Sequence, residues 1–469
     1  MSSDSSSVIA DLVIRGGVVY TSSTHFKADI GIRAGKIAWI DSGEVERPAD
    51  RVVDARGLAV LPGVWHPHCH FRDPGHTQKE DFESGTRAAV AGGITFCVDQ
   101  SNTSPPPVDL ATFEQKRANA EAKAHIDFGL NGAGLHPENV AELASAGAMS
   151  IKIFNTRHPK DVYPYLPELS VIDHALLFEI YEAAAAADIL VSVHHDDADW
   201  NRSMVKRDYL ATGRVSNRDY MDAYEKGYMY GHGMVAGLAA SLYYARLAGI
   251  RLYILHLGVM PVGAYELIRH AKQDLGQTVY GEMEATAMFM SREQAEKIGP
   301  FTYLWAHSPQ AAWQALLDGT SDTVVVEHAP HARDEVEPGW EDNFSVPLGI
   351  TGVQEFLPLM LTAVNEGRLS MEDLVRLTSE NPAKIFGLYP RKGTLTPGAD
   401  GDLTLVDMNQ SGEFADADME SKTGLTSWTG MKFTGKPVYT ISRGSVVMDH
   451  GKILSQPGDG HFVPGAAAR

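Results

Sequence analysis

The sequence predicts an α/β protein, a (β/α)8 barrel of the TIM type carrying a small β-sandwich built from both chain ends. Three observations lead there. Eight short apolar segments recur through the middle of the chain, most of them separated by helical stretches. Segments rich in strand formers flank that middle on both sides. The flanks also echo each other: Val438-Tyr-Thr-Ile-Ser-Arg-Gly-Ser-Val-Val447 resembles Asp11-Leu-Val-Ile-Arg-Gly-Gly-Val-Val-Tyr20, and His450-Gly-Lys-Ile453 resembles Ala34-Gly-Lys-Ile37.

Residues 1–62 and 391–457 are assigned to the sandwich, 63–390 to the barrel and 458–469 to a tail. In the first flank, residues 28–33 and 36–40 alternate apolar and polar in the manner of half-buried strands. The barrel strands are expected at 59–62 running on to 71, then 94–99, 126–130, 149–154, 189–194, 251–256, 278–282 and 323–327. Helices are expected at 82–91, 110–124, 175–187, 234–248, 263–272 and 310–317, with two more near 354–365 and 371–376. Between them, 328–352 reads as loop. The tail is rich in Gly, Pro and Ala and reads as an arm against a neighbouring subunit or as a mobile end.

A chain of 469 residues suffices for one large barrel and a smaller second unit. Its 44% hydrophobic and 21% charged residues are an ordinary globular balance. No stretch approaches the roughly 20 apolar residues of a membrane span. The N-terminus lacks a signal pattern, and only Cys69 and Cys97 occur, so a cytoplasmic home is expected. A formal charge of −20 disfavours nucleic acid as a partner and aids solubility.

In a βα barrel, active sites form where strands end. Here those ends carry chemistry. His68 and His70 end the first strand and, at period two, share a face, with Cys69 on the other. Lys152 ends the fourth strand inside an apolar run. It either snorkels or is carbamylated, which would turn a cation into an anion able to bridge two metals. His194 or His195 ends the fifth strand, with His194 favoured, and His256 ends the sixth. Glu327 follows three valines on the eighth, where a carboxylate needs a partner such as a metal or takes a proton from water. Four histidines, a lysine and a carboxylate on one ring of strand ends point to two metals roughly 3.5–4 Å apart.

The stretch Leu61-Pro-Gly-Val-Trp-His-Pro-His-Cys-His-Phe-Arg-Asp-Pro-Gly75, with residues 79–95, 327–331, 381–387 and 392–403, resembles the cyclic amidohydrolases: dihydroorotases, hydantoinases, dihydropyrimidinases and allantoinases. The resemblance runs from Leu12 to about Leu454 and sits nearest the dihydroorotase-like branch. It implies hydrolysis of a cyclic amide or imide, two zinc ions bridged by carbamylated Lys152, ligands His68, His70, His194, His256 and Glu327, and Glu327 as the catalytic base. It implies a homodimer or homotetramer, and Arg72, Asn102 and His331 as groups that hold a substrate carboxylate. Several positions depart from the family pattern: Glu327 and His66 replace aspartates, Arg157 replaces a tyrosine, Ala306-His-Ser-Pro-Gln310 replaces another stretch, and Trp65 and Trp305 add bulk. These mark a divergent branch. The alternatives are an allantoinase, a hydrolase of bulkier cyclic imides, or a non-catalytic scaffold.

Overall fold

The computed structural model describes residues 10–42, 47–156, 169–302 and 308–468. Among them, eight parallel strands form the barrel: β1 (Val64–Cys69), β2 (Ile94–Asp99), β3 (Asp127–Leu130), β4 (Ile151–Asn155), β5 (Val191–His195), β6 (Leu252–Ile254), β7 (Val279–Glu284) and β8 (Thr323–Val325). Parallel ladders join β1 to β3 and β4 to β8. Gly132–Ala133 carries the seam between β3 and β4 by pairing with Ile151 and Lys152. The ring closes where the His70 N–H donates to the His328 carbonyl at 2.8 Å, beside a parallel bridge from Cys69 to His328.

Segment 59–71 is not one strand. Ala59–Pro62 pairs antiparallel with Leu403–Val406, whereas Val64–Cys69 is barrel. Gly63 divides them and donates its N–H to the Asp402 carbonyl at 2.8 Å. A Cβ there would meet Thr95 Oγ1 at 2.3 Å, so only glycine passes. Strands 251–256 and 323–327 end early for a different reason. His256 and Glu327 adopt left-handed backbone, with φ of 62° and 58°.

Helices begin promptly after the strand-end loops because acidic caps start them. Asp81 accepts the Ser84 N–H ahead of Phe82–Ala91, and Asp109 accepts that of Thr112 ahead of Leu110–Glu121. In β4 and β5, Ile151, Ile153, Val191 and Val193 join the apolar cluster formed by helix residues Leu177, Ile180 and Leu238. By strand alternation Lys152, Ser192 and His194 face the barrel interior.

Both chain ends share one sheet, nine strands among the described residues. Ala59–Pro62 stitches its halves, pairing with Ala10–Tyr20 on one side and Leu403–Glu413 on the other. Leu12, Ile14, Ile30 and Ile32 from the first half and Leu403, Leu405 and Ile441 from the second bury into one apolar core. Buried Lys392 ties this sheet to the barrel, with Nζ 2.6 Å from Asp402 and 2.9 Å from Asp127 on β3.

The tail does not leave the chain. Val463 donates its N–H to the Phe128 carbonyl at 2.9 Å, Gly465 to that of Gly147 at 3.0 Å, and Phe462 packs on Phe128 and Phe113. Residues 458–468 therefore pack on this chain's own barrel rather than standing free of it.

Candidate metal centre and substrate pocket

His68 and His70 stand at the end of β1, their Nε2 atoms 3.2 Å apart. Each ring is held from behind by an oxygen acceptor. His68 Nδ1–H donates to Glu282 Oε1 at 2.6 Å, and His70 Nδ1–H to Asn102 Oδ1 at 2.6 Å. Burial holds both imidazoles well below their usual pKa, so they are neutral and each Nε2 presents a lone pair. Two lone pairs at that separation repel unless a cation lies against both. Acceptors behind metal-binding histidines are the usual second layer of such sites.

Glu327 completes the set. Oε1 is 3.8 Å from His70 Nε2, and Oε2 is 3.2 Å from His256 Nδ1. The ligand atoms of His68, His70 and Glu327 fall within 4.8 Å of one another, as do those of His68, His256 and Glu282. His194 stands outside both groups but meets His256 edge to face, ring centroids 4.6 Å apart. Its neighbour His195 is fully buried with neither ring nitrogen hydrogen-bonded.

Lys152 reaches the same interior with Nζ buried and without a hydrogen-bond partner. Burial pulls its pKa down to about 7, against the pull of Glu282 and Glu327. This amine, drawn on by buried Glu282 and Glu327, fits conversion to a carbamate and a bound pair of divalent cations. Those two and Glu284 are carboxylates buried in a dry site, where bound cations would favour the charged form.

Glu282 and Glu284 escaped the sequence reading. Their signal was the period-two pair Glu282-Met-Glu284 at the end of β7. Burial raises both carboxyls to about 7.

Three site residues take the left-handed backbone region: Arg72 (φ 61°), His256 (62°) and Glu327 (58°). Non-glycine residues there cost roughly 1–3 kcal/mol each and cluster at functional sites. Arg72 pairs with neither Asp73, which binds Lys123 at 2.6 Å, nor Glu80, which receives Ser84, Ser421 and the Lys422 N–H. It donates Nε to the Pro330 carbonyl at 3.2 Å and sets Nη2 3.2 Å from His331 Nε2. Asn102 holds His70 through Oδ1, and its Nδ2 has no hydrogen-bond partner.

His66 serves the scaffold. Its Nε2 accepts the Val326 N–H at 3.0 Å, and its Nδ1 faces Cys69 Sγ at 3.2 Å, locking β1 to the end of β8. Trp65 packs with Phe96, Tyr253 and Phe386 in an apolar cluster, away from the strand-end histidines. Arg157, Trp305, Ala306 and His307 lie outside the described residues. Ser308 caps the helix Pro309–Leu317.

Beside His331 lies a small open pocket of about 20 Å³ lined by Phe301, Val336, Ile350 and Leu425. Part of its wall comes from an excursion of the shared sheet. There Ser421 donates to Glu80, Thr426 to Glu355, and Trp428 Nε1 to the Thr351 carbonyl at 3.0 Å.

Residues 59–447 match the amidohydrolase family, and the chain belongs to it. Curated relatives include an L-hydantoinase of Paenarthrobacter aurescens, 32% identical over 97% of this chain and 98% of its own length. An allantoinase of Rubrobacter xylanophilus is 33% identical, covering 97% of both chains. A dihydroorotase of Methanosarcina acetivorans is 31% identical over 98% of this chain and 96% of its own. Among solved structures, the L-hydantoinase (dihydropyrimidinase) from Arthrobacter aurescens superposes with a TM-score of 0.90 at 31% identity, covering 97% of this chain and all of that one (100%).

Proposed function

We propose that the protein is a cyclic amidohydrolase that opens a five- or six-membered amide or imide ring at its C–N bond. The observation that carries this is the convergence of two neutral histidine lone pairs, 3.2 Å apart, beside Glu327 and the amine of Lys152, buried without a hydrogen-bond partner. In this reading His68, His70, His194, His256, Glu327 and Lys152 as a carbamate would hold two divalent cations, zinc by the nature of the donors. When bound, such a pair lowers the pKa of an attacking water and polarises the ring carbonyl.

The chain's own groups do the rest. Glu327 takes the proton from water and passes it to the departing ring nitrogen. His256, against Glu327 Oε2, sets the direction of that carboxylate. Arg72 and His331 present N–H donors on one side of the site, where a ring carboxylate fits, with Asn102 Nδ2 as a third. The buried lysine and the retained histidines weigh against a scaffold without chemistry.

The apolar side chains of Phe301, Val336, Ile350 and Leu425 in the small pocket beside His331 favour a second reading, a ring with an apolar substituent. The relatives span hydantoinase, allantoinase and dihydroorotase within 31–33% identity, so overall likeness does not choose the ring. Initial rates with dihydroorotate, hydantoin, dihydrouracil and allantoin choose it. Preference for dihydroorotate supports the carboxylate clamp; preference for a ring without a carboxylate supports the apolar pocket. Turnover of none, in protein carrying stoichiometric metal, would overturn the assignment to these rings.

Two further features are part of the proposal. Tyr243 and Leu247, 61% and 59% exposed on the helix His232–Ala248, suit a homodimer or homotetramer contact. Two buried cysteines without a disulfide suit a reducing cytoplasm.

A further inference from the structure

We propose that Glu284 is a positioning residue: from β7 it caps the turn that begins at His256, and so fixes the backbone from which that ring reaches the candidate metal centre. The use of the ring by a cation rests on the reading above; the cap does not.

β6 ends at Ile254, and a single 3₁₀ turn, Leu257–Val259, follows with His256 as its entering residue. The first N–H groups of such a turn have no acceptor within it, and the entering side chain commonly supplies one. The His256 side chain makes no such bond. Its ring is turned to the site, with centroids 4.6 Å from His194 and 5.1 Å from His68, and Nδ1 3.2 Å from Glu327 Oε2. The capping role falls instead to a residue of the next strand. Glu284 Oε2 accepts the Gly258 N–H at 2.7 Å, and the carboxylate is fully buried.

The approach is close enough to constrain the sequence. A Cβ at Gly258 would meet Glu284 Oε2 at 2.6 Å and Ala287 Cβ at 2.8 Å, so a side chain there would push the turn off β7. Glu282, two residues earlier and on the same face of β7, sets Oε1 3.4 Å from the His256 backbone nitrogen. Two carboxylates thus face two amides of one turn. Held there, His256 keeps a φ of 62°, a region that a non-glycine residue occupies only where its surroundings enforce it. The second oxygen of Glu284 is 3.6 Å from His256 Nδ1, beyond hydrogen-bond distance, so its hold on the ring passes through the backbone.

The experiment separates a cap from a mere source of charge. Full-length protein labelled with 13C-carbonyl leucine and 15N-glycine shows the Leu257–Gly258 amide, assigned by its loss in Gly258→Ala. That amide proton is expected well downfield, as a charged acceptor requires, and should lose this shift in Glu284→Ala. Zinc affinity is read by competition with a chelator. It should fall about tenfold or more in Glu284→Ala and in Gly258→Ala, which leaves the charge intact, and in His256→Ala. Glu284→Gln has no charge but still accepts, so it should bind zinc nearly as the parent does. An amide unmoved in Glu284→Ala overturns the cap. A loss in Glu284→Gln as large as in Glu284→Ala, or parent affinity in folded Gly258→Ala, overturns positioning in favour of charge; if Gly258→Ala does not fold, the two Glu284 variants decide. Parent affinity in His256→Ala, with the amide moving as expected, removes His256 from the ligands while the cap stands.

Discussion

Glu282 on β7 reaches past β8 to His68 on β1, its Oε1 2.6 Å from Nδ1. The same oxygen lies 3.4 Å from the backbone nitrogen of His256. One carboxylate thus orients one candidate ligand and touches the backbone of another. Removing an acceptor of this kind typically costs 10–100-fold in metal affinity. Glu282→Ala should therefore weaken metal binding by about that factor, read by competition with a chelator. Affinity equal to that of the unmodified protein would make Glu282 a bystander.

Lys152 offers a test with two readouts of opposite sign. Lys152→Met removes an amine that is buried without a hydrogen-bond partner and replaces it with an apolar chain of similar length. The metal-free variant should gain about 1–3 kcal/mol over the metal-free parent in denaturant unfolding. The same variant should carry little metal and lose ring-opening activity. Full metal content in Lys152→Met would remove the lysine from the bridging position.

Glu327 is asked to move a proton, so its charge should matter more than its size. Glu327→Gln should lower kcat by roughly 10²–10⁴-fold, the usual range for a lost general base. Glu327→Asp keeps the carboxylate and shortens its reach by one methylene, so it should change the rate without unfolding the protein. Equal rates for Glu327, Gln and Asp would place the base elsewhere.

His331 should also leave a mark on acid stability. Burial, with Arg72 alongside, lowers its pKa from 6.5 to about 3. The unfolded chain then takes up a proton at this ring before the folded protein does. The stabilising contribution is complete above pH 6.5 and is lost as pH falls from there toward 3, at up to about 1.4 kcal/mol per pH unit. His331→Gln should flatten the dependence of unfolding free energy on pH across that window by about one proton. An unaltered slope would mean the ring titrates normally.

Much of the barrel was legible because apolar runs of strand length recur and polar residues appear at their ends. The segment 94–99 was read to the residue. What escaped was non-local. The break at Gly63 depends on Thr95 and Asp402 pressing on it, and neither is near it in sequence. His66 reads as a departure from a motif, but its partner Val326 is 260 residues away. Glu282 and Glu284 carried a local signal, yet carboxylates near a strand end resemble ordinary polar termini until His68 and His256 are seen facing them. Asn102 reads as a substrate contact; the structure gives its carbonyl oxygen to His70, and its amide nitrogen has no hydrogen-bond partner.

The excursion of the shared sheet around Ser421–Trp428 places Leu425 against the same pocket as His331. A stretch with no catalytic group of its own thus lies beside the proposed substrate position. Mutation there can shift which rings are accepted while every ligand and the base remain in place. The apolar side chain of Leu425 carries none of the hydrogen bonds by which Ser421, Thr426 and Trp428 hold the excursion to the barrel, so laboratory selection for a new ring can begin at that position.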